Sequence, residues 1–418
     1  MSKTIFDIAS EVGSGITPLR SNDKYWESDD IPWVKTEQLG EYQIFEANEY
    51  ISQTALEETT IKLWPEKTVS VAMYGEGKTR GSVSMLMMPT TTNQACCNIV
   101  VDSQKADYRF LYYWLKNNYE QLRLLAAGVR KNLNSDDIKS FAFPDYDIEE
   151  QYDIAEILSS IDDKIWCNNR INDNLEQQAK LLYDYWFTQF DFPDENGKPY
   201  RSSGGEMVWN ETLKREIPKG WEVTTINEMT TNYRGVSYDK KDLLPNAESG
   251  VLVLRGNNIQ NNRLIYDENV AYIPQSFVSE EQRIRAHDII LTMSSGSKEH
   301  IGKCTMFQYD SPHTYGAFLT KFSPHTDKVY YVYLSMISDY FKKKIKAICN
   351  GTGINNLTNE TFDNLIFPKP EAKVLKQFEK IATSLFEKMG KCEQENHELT
   401  TLRDWLLPML MNGQATVE

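Results

Sequence analysis

Residues 154–186 read IAEILSSIDDKIWCNNRINDNLEQQAKLLYDYW. Positions seven residues apart form two mainly apolar rows, which is the spacing of a long helix that packs against a partner along a seam. One row is Ile154, Ile161, Asn168, Leu175 and Leu182, and the other is Leu158, Ile165, Asn172, Ala179 and Trp186. No proline interrupts the stretch, so the spacing predicts one helix of roughly 35 residues, about 50 Å long.

A second stretch near the end of the sequence repeats this heptad pattern. Its rows are Phe378, Leu385, Cys392, Leu399 and Leu406, and Ala382, Met389, Asn396 and Arg403. Both seams become polar near their midpoints, and antiparallel pairing brings Asn168 and Asn172 opposite Cys392 and Asn396. Buried Asn fixes the register of such helices at some cost in stability. We therefore expect two long antiparallel coiled-coil helices; the alternative is that each helix folds back on its own domain.

The regions before the two helices repeat each other. GVRKNL at 128–133, then FAFP at 141–144, matches GINNL at 353–357, then LIFP at 365–368. In the same order, IPWVK at 31–35 matches VLVLR at 251–255, YISQ at 50–53 matches YIPQ at 272–275, and VAM at 71–73 matches LTM at 291–293. Matches that keep their order over so long a span indicate two equivalent units.

Each copy opens with short β-branched and aromatic runs broken by Gly, Asn and Pro, which are typical of strands and turns. We therefore predict an α+β fold with a pseudo-two-fold internal repeat, in which the two helices separate two β-rich domains. The segment between the copies is rich in turn formers and is interpreted as a connector. The predicted parts are a first β-rich domain (1–147), a helix (148–190), the connector (191–216), a second β-rich domain (217–370), a helix (371–413) and a tail (414–418).

The chain of 418 residues has a formal net charge of −15. This charge counts against nucleic acid as a ligand, because DNA-binding proteins gain affinity by neutralising phosphates. A global charge says little about one face, however, and an acidic scaffold can present basic loops. The sequence has neither a long apolar run nor a secretory start, so we expect a cytoplasmic protein. Its six cysteines are scattered without C-x-x-C spacing, which favours reduced, buried thiols over a metal site or disulfides.

One motif resembles a phosphate-binding P-loop. AMYGEGKT at 72–79 follows a predicted strand, but it lacks the first glycine of that motif. The equivalent loop in the second copy, MSSGSK at 293–298, keeps only Gly, Lys and hydroxyl groups. Such loose sharing favours phosphate contacts by the backbone, Ser and Lys, with DNA as plausible a ligand as a nucleotide.

Other catalytic arrangements are weak. Asp145 followed by Asp162, Asp163 and Lys164 mimics a magnesium nuclease, but the second half falls within the heptads and is interpreted as a solvated helix face. No Asn/Asp-Pro-Pro-aromatic string supports a methyltransferase, and the five histidines form no nucleophile pattern. We predict no catalytic residues and no metal site.

Over essentially its whole length the sequence resembles the specificity subunits of type I restriction–modification systems. The resemblance lies in the two-copy plan and in GITP (15–18) with IPWV (31–34), IPKGW (217–221), RGVSY (234–238) with LRGNNI (254–259), and MSSGSK (293–298). It implies a non-catalytic subunit in which each β-rich domain is a target-recognition domain for one half of a split DNA site. The helices set the gap between the two halves.

The resemblance also implies the partners and cofactors. Double-stranded DNA is the ligand, and two methyltransferase subunits dock on the helices and methylate adenine. A restriction (translocase–nuclease) subunit, where the system has one, cleaves unmodified DNA. The chain itself is expected to need no cofactor, with S-adenosylmethionine, ATP and Mg²⁺ on partner subunits only.

Candidate DNA contacts are assigned by loop equivalence, because Lys and Arg pair with guanine and Asn with adenine in the major groove. The first loops of the two domains contribute Ser14, Thr17, Arg234 and Tyr238. The residues after the IPWV and VLVL strands contribute Lys35, Thr36, Arg255, Asn257 and Asn258. A second loop set comprises Tyr74, Lys78, Thr79, Arg80, Ser294, Ser295, Ser297 and Lys298. A third comprises Arg130, Lys131, Asn132, Asn355 and Asn356. For the Asn and Ser residues the alternative role is capping turns.

Two rival functions remain open from the sequence. One is a coiled-coil adaptor whose β-rich domains bind proteins, which predicts no salt-sensitive affinity for duplex DNA. The other is a magnesium nuclease that uses Asp145, Asp162 and Lys164.

Overall fold

A computed structural model describes residues 3–75, 77, 79–126, 132–246, 250–265, 270–296, 298–352 and 356–417. The chain divides into two compact units. The first unit is Met1–Cys167 with Glu395–Glu418, and the second unit is Asn168–Gln394. Each unit therefore combines one β-rich domain with part of each long helix. The domain boundaries expected from the sequence remain a prediction.

The first β-rich domain is built around a mixed sheet covered by helices. Its strands are β1 (Ala9–Ser14), β2 (Ile31–Val34), β3 (Gln43–Ile44), β4 (Glu49–Ile51), β5 (Thr68–Ala72), β6 (Val83–Leu86), β7 (Thr91–Thr92) and β8 (Cys96–Val101). Its helices are α1 (Ile5–Ile8), α2 (Gln53–Glu58), α3 (Tyr108–Asn117), α4 (Tyr119–Leu125) and α5 (Ser135–Lys139), and the first long helix, α6 (Ile148–Tyr183), follows. The strand orders are β1-β8-β5-β6-β3 and β4-β2-β7. Buried aromatic residues of α3, such as Phe110 and Tyr113, belong to the same core as strand residues Val69 and Ile99.

The second β-rich domain has the same plan. Its strands are β9 (Met207–Asn210), β10 (Arg215–Pro218), β11 (Glu222–Thr225), β12 (Thr230–Arg234), β13 (Val251–Leu254), β14 (Ile259–Gln260), β15 (Arg263–Leu264), β16 (Ala271–Ile273), β17 (Ile289–Thr292), β18 (Cys304–Met306), β19 (Thr314–Tyr315), β20 (Leu319–Pro324) and β21 (Ile366–Lys369). Its helices are α7 (Ile226–Met229), α8 (Val329–Ile337), α9 (Asp339–Thr352) and α10 (Asn359–Asp363), and the second long helix, α11 (Ala372–Met411), follows. The strand orders include β12-β20-β17-β18 and β16-β13-β19.

Strand registers confirm the predicted repeat. In the first unit β2 pairs antiparallel with β4, Ile31 opposite Ile51, and parallel with β7, Val34 opposite Thr92. In the second unit β13 pairs antiparallel with β16, Val251 opposite Ile273, and parallel with β19, Leu254 opposite Tyr315. The sequence matches 31–35 with 251–255 and 50–53 with 272–275 therefore mark equivalent strands. The α+β fold with an internal repeat is confirmed.

The long helices run antiparallel within each unit. In the first unit, Asp162 contacts Arg403 at 2.7 Å, and Lys164 contacts Glu395 at 3.2 Å. Further along this pair, Leu158 shares a core with Leu407, Leu410 and Met411. In the second unit, the Trp186 and Phe378 rings lie 5.7 Å apart, and Asn172 Nδ2 donates to the Met389 carbonyl oxygen at 3.3 Å. Asn172 thus forms a buried polar contact across the seam, to the backbone of α11.

The buried seam drifts from the strict heptad rows. Leu407 is buried where the heptad marks Leu406, and Phe386 is buried beside the predicted Leu385, which is only partly covered. An α-helix has 3.6 residues per turn, so a row spaced by seven rotates by about 20° per heptad. The buried stripe therefore passes to neighbouring positions.

Asp162 corrects one sequence interpretation. The heptad pattern predicts that Asp162 lies on a solvated helix face, but its side chain is only 3% exposed. It accepts hydrogen bonds from Arg403 Nη1 at 2.7 Å and from the Tyr113 hydroxyl at 2.9 Å. Its carboxylate is therefore committed to an ion pair between the two long helices, and Asp145 lies elsewhere, paired with Lys3 at 2.9 Å. This arrangement does not support the nuclease hypothesis.

Two smaller expectations also change. Among the cysteines, all free thiols, Cys167 is exposed and Cys392 is half-buried rather than fully buried. The predicted connector contains β9, which pairs with β10 at the boundary with the second domain. Its Phe192 ring lies 4.7 Å from Tyr200 and 5.0 Å from Trp221. It is therefore a packed part of the second unit. In the part of the chain that the structure describes, no helix is both long enough and apolar enough to cross a membrane.

Glu379 on α11 gives the second unit a pH-dependent stability. Its carboxylate accepts the backbone N–H groups of Tyr330 at 3.2 Å and Tyr331 at 2.8 Å, at the start of α8, while burial raises its pKa to about 7. A folded-state pKa above the unfolded value means that stability is lost as the pH rises from 4.5 to 7. We therefore expect the free energy of unfolding of the wild type, minus that of Glu379→Gln, to fall by up to ~3 kcal/mol between pH 4.5 and pH 7. Glu360→Gln, at an exposed position, is the control, and a flat difference for Glu379→Gln would contradict the account.

Candidate nucleic-acid interface

In the first unit, the turn at residues 92–96 gathers the predicted DNA-contacting loops. The first loop contacts this turn through the Ile16 N–H, which donates to the Thr92 carbonyl at 2.9 Å. The end of β2 contacts it through the Val34 carbonyl, which accepts from the Asn93 N–H at 3.0 Å. The second loop set begins at Met73, whose N–H donates to the Ala95 carbonyl at 2.8 Å.

The third loop set joins the same cluster. The Leu133 N–H donates to the Met73 carbonyl at 3.0 Å, so the chain that follows the 128–132 loop lies against the start of the second loop. Four segments that are distant in sequence therefore meet around one turn.

The second unit repeats this network contact by contact. Val236 N–H donates to the Tyr315 carbonyl at 2.7 Å, and Gly316 N–H donates to the Leu254 carbonyl at 2.9 Å. Met293 N–H donates to the Phe318 carbonyl at 2.9 Å, and Leu357 N–H donates to the Met293 carbonyl at 2.8 Å. The turn at 315–319 thus corresponds to the turn at 92–96. We call these two turns the hub turns.

A glycine in each first loop permits the close approach to the hub turn. A Cβ on Gly15 would lie 2.0 Å from the Thr92 carbonyl oxygen, and a Cβ on Gly235 would lie 2.1 Å from the Gly316 carbonyl oxygen. Both contacts are far shorter than a carbon and an oxygen tolerate, so only glycine fits. GITP and RGVSY share this glycine for a steric reason.

Sequence reasoning missed the hub turns. Gln94 is exposed at one hub turn, and Phe318 is 68% exposed at the other, an unusual position for a large aromatic side chain. The two turns have different sequences, TNQAC and YGAFL, so no repeat match pointed to them. The only signal is their position directly after the strand that pairs in parallel with β2 or β13.

The predicted first-loop residues lie at this cluster. Ser14 is exposed, and the Thr17 hydroxyl donates to the Gln94 side chain. Arg234 is exposed, and its Nε donates to the Ala317 carbonyl at 3.4 Å.

The residues after β2 and β13 are held by interactions within the protein. Lys35 contacts Glu37 at 2.7 Å and also Glu49, and hydrogen bonds to these two carboxylates raise its pKa. Arg255 Nε donates to the Tyr238 hydroxyl at 3.1 Å. Thr36 is half-buried at the start of a 3₁₀ turn.

Asn257 and Asn258 differ in exposure. Asn257 is exposed, whereas Asn258 is buried. The Asn258 side chain accepts the Arg255 N–H at 2.8 Å and donates to the Ile265 carbonyl at 2.9 Å. A base contact by Asn258 requires these bonds to break, so it fits the capping alternative better.

The second and third loop sets are described in part. Tyr74 and Asn132 are exposed, Thr79, Arg80 and Ser295 are half-buried, and the Ser294 hydroxyl contacts the Asn356 side chain, which joins the two sets. The backbone of Lys298 begins a 3₁₀ turn. Lys78, Arg130, Lys131, Ser297 and Asn355 lie outside the described residues.

Among its described residues, the cluster has no group of side chains typical of a metal centre. Within the described ranges, no three His, Cys, Asp or Glu side chains could hold a metal ion together. Its polar groups are backbone N–H groups, hydroxyls, amides and cations. Such groups contact phosphates and base edges.

Comparison with known proteins agrees with this geometry. The chain matches the family described as "Type I restriction modification DNA specificity domain" twice, over residues 2–177 and 218–400. It is 26% identical to the type I restriction enzyme MjaIX specificity subunit of Methanocaldococcus jannaschii, over 100% of this chain and 93% of that protein. It is 28% identical to the EcoKI specificity subunit of Escherichia coli, over 48% of this chain and 44% of that protein.

The fold has a solved counterpart. The crystal structure of a type I restriction–modification system S subunit from M. genitalium aligns with a TM-score of 0.56 at 17% sequence identity. The alignment covers 98% of this chain and 95% of that one.

Proposed function

The chain belongs to the type I restriction modification DNA specificity domain family, and from that premise we propose that it reads a bipartite DNA site and performs no chemistry itself. The observation that carries the proposal is the duplicated hub-turn network, which gathers equivalent loops in each unit. One cluster reads one half of the site. Loops held on strands and backed by a sheet can present side chains to base edges with the rigidity that sequence readout needs.

Partner subunits supply the chemistry in this proposal. Two methyltransferase subunits dock on the chain and methylate adenine, because two equivalent units offer two equivalent surfaces to one kind of partner. A translocase–nuclease cleaves unmodified DNA in systems that contain one. S-adenosylmethionine, ATP and Mg²⁺ bind to these partner subunits. We place the complex in the cytoplasm.

Reconstitution tests the proposal. We expect the purified chain to transfer no methyl groups to DNA with S-adenosylmethionine present, and the mixture with its methyltransferase subunits to methylate adenine within one motif. Methyl transfer by the chain alone would refute the non-catalytic role. If the mixture lacked salt-sensitive affinity for any duplex, the coiled-coil adaptor would be the better account.

A further inference from the structure

Helix α9 (Asp339–Thr352) carries an exposed block of positive charge in an acidic protein. Lys342, Lys343, Lys344 and Lys346 are all exposed, in a chain with 60 acidic and 45 basic residues. Among the described residues, none of these four lysines has a carboxylate within 4.0 Å. Other lysines of the second unit, such as Lys321 and Lys369, do pair with carboxylates, at 3.3 Å and 2.7 Å.

Three of these lysines share one side of α9. Successive residues of an α-helix are rotated by about 100°, so Lys342, Lys343 and Lys346 fall within an arc of about 100°. The opposite side carries Phe341 and Ile345, which are buried in the core of the second unit. We call Lys342, Lys343 and Lys346 the lysine face. Lys344 lies outside the arc, and its ammonium group lies 5.5 Å from the Tyr340 ring centre.

Helix α9 packs against the segment that follows the second loop set. A Cβ on Gly302 would lie 2.9 Å from Ile345 Cγ2, so the backbone at Gly302 lies directly against the helix. The Gly302 N–H donates to the Thr292 carbonyl at 2.9 Å, at the end of β17, where the second loop set begins. Helix α9 also ends where the third loop set starts. The lysine face is thus carried by a helix that adjoins the candidate DNA-contacting loops of the same unit.

We propose that the lysine face binds backbone phosphates of the DNA beside the half-site read by the second unit. The inference rests on the proposed function and adds an electrostatic contact to it. Lysine is a point charge that suits phosphate without reading sequence. Bound phosphates release counterions, so this contact strengthens binding to every duplex and weakens with salt.

Helix α4 (Tyr119–Leu125) takes the place of α9 in the first unit, and its residues form no matching lysine face. The first turn of α4 carries Glu120, and its last turn carries one basic residue, Arg123. The two units therefore differ in their affinity for DNA of any sequence. In this proposal the second unit anchors the complex to DNA.

The experiment measures the salt dependence of binding to a short duplex of random sequence by the full chain with its methyltransferase subunits. The triple variant Lys342→Gln, Lys343→Gln and Lys346→Gln should lower the slope of log affinity against log salt by about 2 to 3, because each lost phosphate contact removes about 0.9. At salt concentrations between about 50 and 200 mM, we expect the triple variant to bind the duplex roughly 10- to 100-fold more weakly than the wild type does. The ratio of affinities for a duplex that contains the recognition motif and for a scrambled duplex should stay unchanged.

Two control variants define the outcome. Replacing Lys198, Lys214 and Lys219, which are exposed and lie outside the long helices and the candidate loops, with Gln removes the same charge and should leave the slope near that of the wild type. The charge-preserving variant Lys342→Arg, Lys343→Arg and Lys346→Arg should keep the wild-type slope. An unchanged slope in the glutamine variant, with discrimination intact in the wild type, overturns the inference and leaves the proposed function standing. Loss of the methyltransferase subunits instead of DNA affinity overturns it too, since the face would then bind protein. A wild type without discrimination defeats the proposed function itself.

Discussion

Replacing Arg403 with methionine should lower the stability of the first unit by about 3 kcal/mol, the lower end of the cost of breaking a buried ion pair. Arg403 supplies the cation for Asp162, whose side chain is 3% exposed. Without the guanidinium, the carboxylate stays buried between the helices, with the Tyr113 hydroxyl as its hydrogen-bond donor and the Lys116 ammonium, 3.9 Å away, as its remaining cation. Lys116 lies beyond hydrogen-bond distance, so it offsets only part of the desolvation cost of this buried charge. Hydrogen exchange of first-unit amides, followed across a urea series, measures the loss without assuming that both units unfold together.

A second variant separates charge from packing. Adding Asp162→Asn to Arg403→Met should recover part of the stability, because a neutral amide still accepts from Tyr113 and no buried carboxylate charge is left. Lys164→Met is the matched control. It removes a cation from a half-exposed pair with Glu395 and should change stability by less than about 1 kcal/mol. Equal effects of Arg403→Met and Lys164→Met would show that the ion pair does not fix the helices.

Gly235→Ala should weaken binding to the correct second half-site by about 100-fold or more. The added methyl group would lie 2.1 Å from the Gly316 carbonyl oxygen, so the first loop must leave the second hub turn. Each base pair that is no longer read costs about 1–3 kcal/mol, and several are lost together. Gly15→Ala should have the same effect on the other half-site, for the same reason.

Duplexes with one scrambled half-site measure this effect. Binding by the Gly235→Ala variant should become insensitive to scrambling of the half-site read by the second unit, while scrambling of the other half-site still weakens it. Gly296→Ala is the control, because it lies in the second loop set and its Cβ meets nothing within 4 Å. If Gly235→Ala retained full sensitivity to both half-sites, the hub turns would have no role in reading DNA.

The sequence predicts the long helices well because their signal is local. Heptad spacing places α6 and α11, and polar midpoints such as Asn172 are compatible with the antiparallel pairing that we expect. The ion pair between Asp162 and Arg403 escapes the same reasoning, since the partners are 241 residues apart and a heptad pattern treats Asp162 as solvated. Charge pairing across an interface depends on which helices meet, and spacing alone does not give it.

The candidate site is predictable in outline only. Order-preserving matches find the loops, because equivalent strands carry them. The hub turns at Gln94 and Phe318 stay hidden, since hydrogen bonds through the backbone leave little trace in side-chain identity. The lysine face was missed for another reason. Loop equivalence directs attention to what the two copies share, and the lysine face belongs to one copy.

Mapping methylated adenines across the genome, in cells with this gene and in cells without it, tests the central claim most directly. The account predicts a motif of two short specified parts separated by a fixed unspecified gap, methylated only when the gene is present. Methylation of that motif in cells without the gene, or a dependence on the gene confined to one continuous motif, would contradict the account.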